Sequence, residues 1–308
     1  MSADLEFRAY VPEMAAKLAV MIARIGPATD PTRQFYEARL RSGFASDEAV
    51  IVALSEKEPV GLGLLIARPI CTPGGRFALA VAPGSAAGEE GRNAVAETHG
   101  ASALERALWD ALVDRGRALG LDAFHSSVPD AYTAYGAYLD ALGFAPHDAL
   151  DCMELPTGVA PHPAPAGVHA TRYLGDPEEL DAIAAICNTA LRNEHHVPPT
   201  DGEGIRRLMA MPGASWFIAR ETETGRIAAV AETNAPEGAF HMVAVRRRYW
   251  GTGLAEHIVT FALADLREAG VPVANTLVRS ANAASIALQQ RLGGRMTGQR
   301  IILYRRTL

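Results

Sequence analysis

The chain has 308 residues, of which 49% are hydrophobic and 21% charged, with a formal net charge of −6. That length exceeds what one hydrophobic core usually fills and points to two domains, and the composition excludes a disordered, collagen-like or coiled-coil chain. Charge is split, with 13 Lys and Arg against 21 Asp and Glu in residues 1–160 and 16 against 14 thereafter, so an anionic ligand suits the second half better.

Three isolated cysteines, Cys71, Cys152 and Cys187, make neither a disulfide framework nor a C-x-x-C metal pattern. No apolar run reaches the roughly 18 residues a membrane span needs, and the first residues hold Asp4 and Glu6 where a leader would be basic and then apolar. The expectation is a cytoplasmic protein without membrane, metal or, lacking a strongly basic face, nucleic acid; it is a monomer or homodimer.

In chain order, periodicity predicts a strand at 7–10, helices at 12–25 and 31–41, strands at 49–54, 60–67 and 76–82, a helix at 100–119, a strand at 122–128 and a helix at 131–142. Residues 156–167 carry four prolines and two glycines without apolar periodicity and read as a stiff linker between domains 1–155 and 168–308. The rhythm then repeats. A strand at 168–173, a helix at 177–191 and a short helix at 203–210 precede strands near 216–220, 227–232 and 239–245. A helix near 251–269, a strand near 275–278, a helix at 282–292 and a final strand follow. Two copies of a β-α-α-β-β-β-α-β-α-β unit, an α/β fold with a mixed sheet in each copy, is the economical reading.

The stretch Val243-Ala244-Val245-Arg246-Arg247-Arg248-Tyr249-Trp250-Gly251-Thr252-Gly253-Leu254 joins an apolar strand to an amphipathic helix. Glycines in such a turn let a ligand approach the backbone, and the free N–H groups at the helix start suit a pyrophosphate. A ligand-free tight turn fits the same letters. A dinucleotide fingerprint does not, because G-x-G-x-x-G is absent. On the strand before the turn, Glu237, Ala239, His241 and Val243 share one face by period two, and Glu232 lies on the preceding strand. Two adjacent histidines in Asn193-Glu194-His195-His196 do not point together as an i, i+4 pair would, so they do not read as a zinc site.

Arg248, Gly251 and Gly253 match R/Q-x-x-G-x-G/A, and Asn282-Ala283-Ala284-Ser285-Ile286-Ala287-Leu288-Gln289-Gln290-Arg291-Leu292-Gly293-Gly294 is similar to an N-x-x-A-x-x-L-Y-x-x-x-G-F helix about forty residues on. With both motifs at that separation, residues 167–308 resemble the GNAT superfamily of acyl-CoA-dependent N-acyltransferases. The first half resembles the same fold with its site eroded: Val81-Ala82-Pro83 is kept, but Glu97 stands where the basic residue belongs.

The resemblance implies a tandem GNAT protein moving an acyl group from acetyl-CoA or a related acyl-CoA to the amine of a small metabolite, by direct attack and without metal. It implies that the backbone of Val243, Ala244 and Val245 pairs with the pantetheine arm and that the turn from Arg248 through Tyr249, Trp250, Gly251, Thr252 and Gly253 to Leu254 holds the pyrophosphate. Asn282 and Ser285 line the cleft. Glu237, like the strand-start glutamate of tandem members, Glu232 and His241 are candidate bases, and Glu194, His195 and His196 stand where the acceptor enters. Gln289 replaces the usual tyrosine and cannot protonate a thiolate; Tyr304 or water is left for that task. Two further readings stay open: an acyl-CoA-binding or regulatory protein without transfer activity, and an O-acyltransferase.

Overall fold

The computed structural model describes residues 5–24, 31–42, 48–72, 75–85, 103–131, 133–191 and 200–308. Among them the order of elements runs twice through strand, two helices, three strands, helix, strand, helix, strand, as the periodicity predicts. Long-range contacts divide the chain into two units, Met1–His147 with Ile302–Leu308, and Asp148–Ile301.

In the first unit, β1 (Leu5–Ala9), β2 (Glu48–Ser55), β3 (Glu58–Thr72) and β4 (Gly75–Ser85) pair antiparallel in sequence order, and β5 (Ala123–Pro129) runs parallel to β4. A parallel neighbour needs a crossover, which contains α3 (Ala103–Ala118); α1 (Ala15–Ile22), α2 (Pro31–Ser42) and α4 (Thr133–Ala141) complete the helices. Trp109 sits edge-on to Phe144 at 5.2 Å between ring centres and gives its indole N–H to Tyr138 Oη at 3.3 Å. Tyr304 packs in this same core, and its hydroxyl fills the space a side chain on Gly136 would need.

The second unit holds the sheet order β6, β11, β10, β9, β8, β7, where β6 is Ala145–Pro156, β7 Val168–Tyr173, β8 Ala214–Glu221, β9 Ile227–Asn234, β10 Ala239–Val245 and β11 Val273–Arg279. The sequence reading placed a domain boundary after residue 155. In the structure, Leu150–Pro156 pairs antiparallel with the whole of β11. The end of β12 (Arg295–Thr307), from Ile302, and Leu308 after it belong to the first unit.

Every residue of β9 is buried, so both faces of the sheet are covered. On one face, α7 (Leu254–Glu268) lays Leu254, Ile258, Leu263 and Leu266 against Phe217, Ala229, Val243 and Val245. On the other, α5 (Leu180–Ala190) and α6 (Gly202–Met209) cover Trp216, Ile218, Val230 and Ala244. Asp201 caps α6 through the amide of Gly204 at 2.8 Å. The proline-rich segment is held to α7: the His162 amide donates to Thr260 Oγ1 at 3.0 Å, and His257 Nδ1 meets the His162 carbonyl at 2.8 Å. Among the described residues, no helix is long and apolar enough to cross a membrane, and no group of three His, Cys, Asp or Glu could hold a metal ion.

Candidate active site

β10 and β11 run parallel but share a single registered pair, Ala239 with Asn275, where the Asn275 amide donates to the Gly238 carbonyl at 2.8 Å. Beyond it the strands part. β10 stays laddered to β9 through Val245, and the Arg246 amide donates to the Ala228 carbonyl at 2.9 Å. Backbone direction alternates along an antiparallel strand, so Ala244 and Met242 also face β9, while the N–H and C=O groups of Val243 and Val245 face the opening. Of the three strand residues the resemblance assigned to the pantetheine arm, Val243 offers both backbone groups and Val245 its N–H. Ala244 lends its side chain to the core instead. The Val245 carbonyl is already taken, by the Trp250 indole N–H at 3.0 Å.

The turn after β10 spends the amides of Tyr249, Trp250 and Thr252 on the carbonyls of Arg246, Arg247 and Tyr249, and leaves that of Gly251 and those at the start of α7 unspent. Gly251 (φ +75°) and Gly253 (φ +84°) both adopt the left-handed conformation, and Gly253 caps α7 without a side chain. The first helical bond is His257 N–H to the Gly253 carbonyl, at 3.0 Å, which leaves the amides of Gly253, Leu254, Ala255 and Glu256 without helical acceptors. Alternating backbone conformations with convergent N–H groups make an anion-binding concavity, and the positive end of α7 adds to it. Thr252 Oγ1 braces the turn on the Tyr249 carbonyl at 2.8 Å. A side chain on Gly253 would meet the His162 ring; one on Gly251 would meet nothing within 4 Å. Arg248 pairs with Glu221 at the end of β8 and lies over the Tyr249 ring, 5.1 Å from its centre.

The three candidate bases come together, though not by period two. A bulge between Phe240 and Met242 puts His241 out of phase: Phe240 and Val243 pack on the α7 side, Met242 and Ala244 on the α5 side. His241 Nε2 lies 3.1 Å from Glu237 Oε2, and Nδ1 lies 3.6 Å from Glu232 Oε1. Glu232 is buried; Glu237, in the turn before β10, is exposed. The Glu232 carboxylate raises the His241 pKa above its ordinary value, against partial burial and with help from Glu237. That raised value makes two measurable statements. The His241 ring should titrate in NMR above an ordinary histidine, and Glu232→Gln should bring the midpoint down. Since the charged ring is favoured in the folded state, its contribution to stability is complete below the unfolded histidine pKa and fades as pH rises through the folded one.

Cys187 on α5 is buried. Burial, and secondarily Glu232, push its thiol up to about 12, so it serves as an apolar filler. Asn282 caps α8 (Ala283–Arg291), its Oδ1 accepting from the Ser285 amide at 3.0 Å, so these two residues set the helix start. Gln289 on α8 is 4% exposed, and its Oε1 has no hydrogen-bond partner. Tyr304, the hydroxyl considered for the thiolate, is committed to the core of the first unit. Glu194, His195 and His196 lie outside the described residues. The sequence reading missed Glu221 and the docking of His162; only the acidic letter of the one and the polar letter of the other among prolines marked them.

Residues 180–293 match the model of the acetyltransferase (GNAT) family. No curated protein sequence matches. Among solved structures, the chain is similar to a tandem GNAT protein from the clavulanic acid biosynthesis pathway, with TM-score 0.64, 19% identity and coverage of 99% of this chain and 98% of that one. It is also similar to a GCN5-related N-acetyltransferase from Sphaerobacter thermophilus (TM-score 0.61, 17% identity, 98% and 95% covered). A third similar structure is a GCN5-related N-acetyltransferase from Kribbella flavida (TM-score 0.62, 14% identity, 99% and 71% covered).

Proposed function

From a chain that has the tandem GNAT fold, with GNAT acetyltransferase sequence in its second half, we propose an N-acyltransferase that moves an acyl group from acetyl-CoA or a related acyl-CoA to the amine of a small metabolite, using the site in the second unit. The observation that carries it is the single-pair contact between β10 and β11 beside a turn with unspent amides. The outward N–H and C=O of Val243 and the N–H of Val245 continue a ladder onto an amide-bearing arm, and the amides of Gly251 and of Gly253 to Glu256 receive the pyrophosphate.

An alkyl amine titrates near the lysine value of about 10.4, so a base must take its proton near neutrality. His241, oriented by Glu232 on one ring nitrogen, takes that proton on the other, and exposed Glu237 relays it to solvent. The Val243 N–H, aimed into the opening, donates to the developing oxyanion; one such donor is worth about 2.7–4 kcal/mol in a transition state. A thiolate near the cysteine value of about 8.5 departs without a dedicated acid, consistent with an amide at Gln289.

A screen of amines against acetyl-CoA, scored by thiol release with the product identified by mass spectrometry, tests this. Release with an acylated amine is expected. CoA binding by calorimetry with no turnover on any acceptor supports the binding-protein reading, which Gln289 favours by offering no hydroxyl. A product cleaved by hydroxylamine supports O-acylation.

A further inference from the structure

Three consecutive arginines follow β10, and the structure uses them differently. Arg246 gives its Nε–H to the Ile227 carbonyl at 2.5 Å, fastening the strand end to β9. Arg248, the residue that matches the family motif, is paired with Glu221. The Glu221 carboxylate is held in place: its side chain is 14% exposed, Oε2 accepts from Thr224 Oγ1 at 2.7 Å, and its backbone is bonded into the turn between β8 and β9; Oε1, the atom beside Arg248, makes the ion pair without a hydrogen bond. Arg247 is exposed; its carbonyl accepts from the Trp250 amide at 3.1 Å, and among the described residues its guanidinium has neither an ion pair nor a hydrogen bond. A cation paired with a largely buried carboxylate has less charge left for a ligand, whereas an unpaired one keeps its full field.

Resting on the acyl-CoA reading above, we propose that the roles of these neighbours are exchanged relative to the motif: Arg248 is a positioning residue that latches the amide turn to the β8–β9 hairpin through Glu221, and Arg247 is the cation that meets the phosphates of the coenzyme. With the latch closed, the end of β10 is held to the sheet at two points, Arg246 on Ile227 and Arg248 on Glu221. The free amides of Gly251 and of Gly253 to Glu256 then present a fixed concavity. Arg247, between the two anchored residues, has its guanidinium free on the surface of the same turn.

Isosteric Glu221→Gln gives opposite signs for the two assignments. If Arg248 is a latch, this change loosens the turn and weakens CoA binding in calorimetry, by an expected three- to tenfold. If Arg248 meets the phosphates directly, removing its competitor frees the guanidinium and CoA binds more tightly, which overturns the proposal. Arg248→Gln supplies the second measurement. In the latch arrangement it is no more harmful than Glu221→Gln, the double variant matches the singles, and the salt dependence of the dissociation constant keeps its wild-type slope. Arg247→Gln should weaken CoA about tenfold and flatten that slope, because it removes a charge from the ligand field. Wild-type affinity and slope in Arg247→Gln would refute its assignment. Dephospho-CoA tells which phosphate Arg247 serves: a loss that persists with it belongs to the pyrophosphate, and one that disappears to the ribose phosphate. Failure of the wild-type chain to bind CoA at all defeats the proposed function itself, so the two failures are distinguishable.

Discussion

His241→Gln is expected to lower kcat by two to four powers of ten while leaving the dissociation constant for acyl-CoA within about twofold, because positioned proton transfer is worth that much and the ring touches none of the groups proposed to hold the coenzyme. The variant keeps a polar side chain at the bulge, so Glu232 and Glu237 retain a neighbour, but glutamine cannot accept a proton from an ammonium ion. The pH profile identifies the base more sharply than the magnitude does. With His241 as base, kcat/KM for the amine rises through a limb set by its raised pKa, and activity is lost below it as the ring protonates. Glu232→Gln removes the main cause of the raise and moves that limb to lower pH, even as it costs turnover by loosening the ring. Glu237→Gln tests the alternative implied by resemblance, in which the strand-start glutamate is itself the base. Exposed and bonded to Nε2, Glu237 should then cost as much as His241. As a relay it costs less, about tenfold, because water can stand in. A wild-type rate in His241→Gln would remove the imidazole from the mechanism.

How much of this was legible in the letters depends on the distance over which each feature is encoded. The doubled order of elements is written in local periodicity, two residues for strands and between three and four for helices, and the structure reproduces it twice. The glycines at 251 and 253 were legible because positive φ is a local demand that few other residues meet. Asn282 was assigned to the cleft, yet an Asn ahead of Ala-Ala-Ser is also a helix-cap signal, and the cap is what the structure shows. The bulge at His241 has no letter of its own: one extra residue in β10 changes the face of everything before it, and only pairing with β9 reveals it. The Arg248 partner lies at the end of β8, so that ion pair is a product of sheet order. Likewise Leu150–Pro156 reads equally well as the last strand of the first half; its pairing with β11 is a matter of register across more than a hundred residues.

The amide turn admits a test that separates binding from folding. Gly251→Asp should weaken acyl-CoA about a hundredfold beyond Gly251→Asn, with thermal midpoints of the two variants within a few degrees of each other. The position allows this comparison because a Cβ there meets nothing within 4 Å, because Asn and Asp have the same shape, and because they are the residues after glycine that best tolerate a left-handed backbone. Both pay the same conformational cost, roughly 1–2 kcal/mol, which for a protein of this size lowers the melting point by several degrees. They differ in one charge. A carboxylate at about 4 Å from a phosphate oxygen near a protein surface is opposed by up to roughly 4 kcal/mol per charge pair. Screening and exposure leave about 2–3 kcal/mol, and each 1.4 kcal/mol is a factor of ten in affinity. The gap between Asp and Asn should narrow as salt is raised, since it is electrostatic, whereas the gap between Asn and wild type should not. Equal affinity of the two variants at low salt would mean that no anion approaches Gly251, and the pyrophosphate would have to be sought away from this turn.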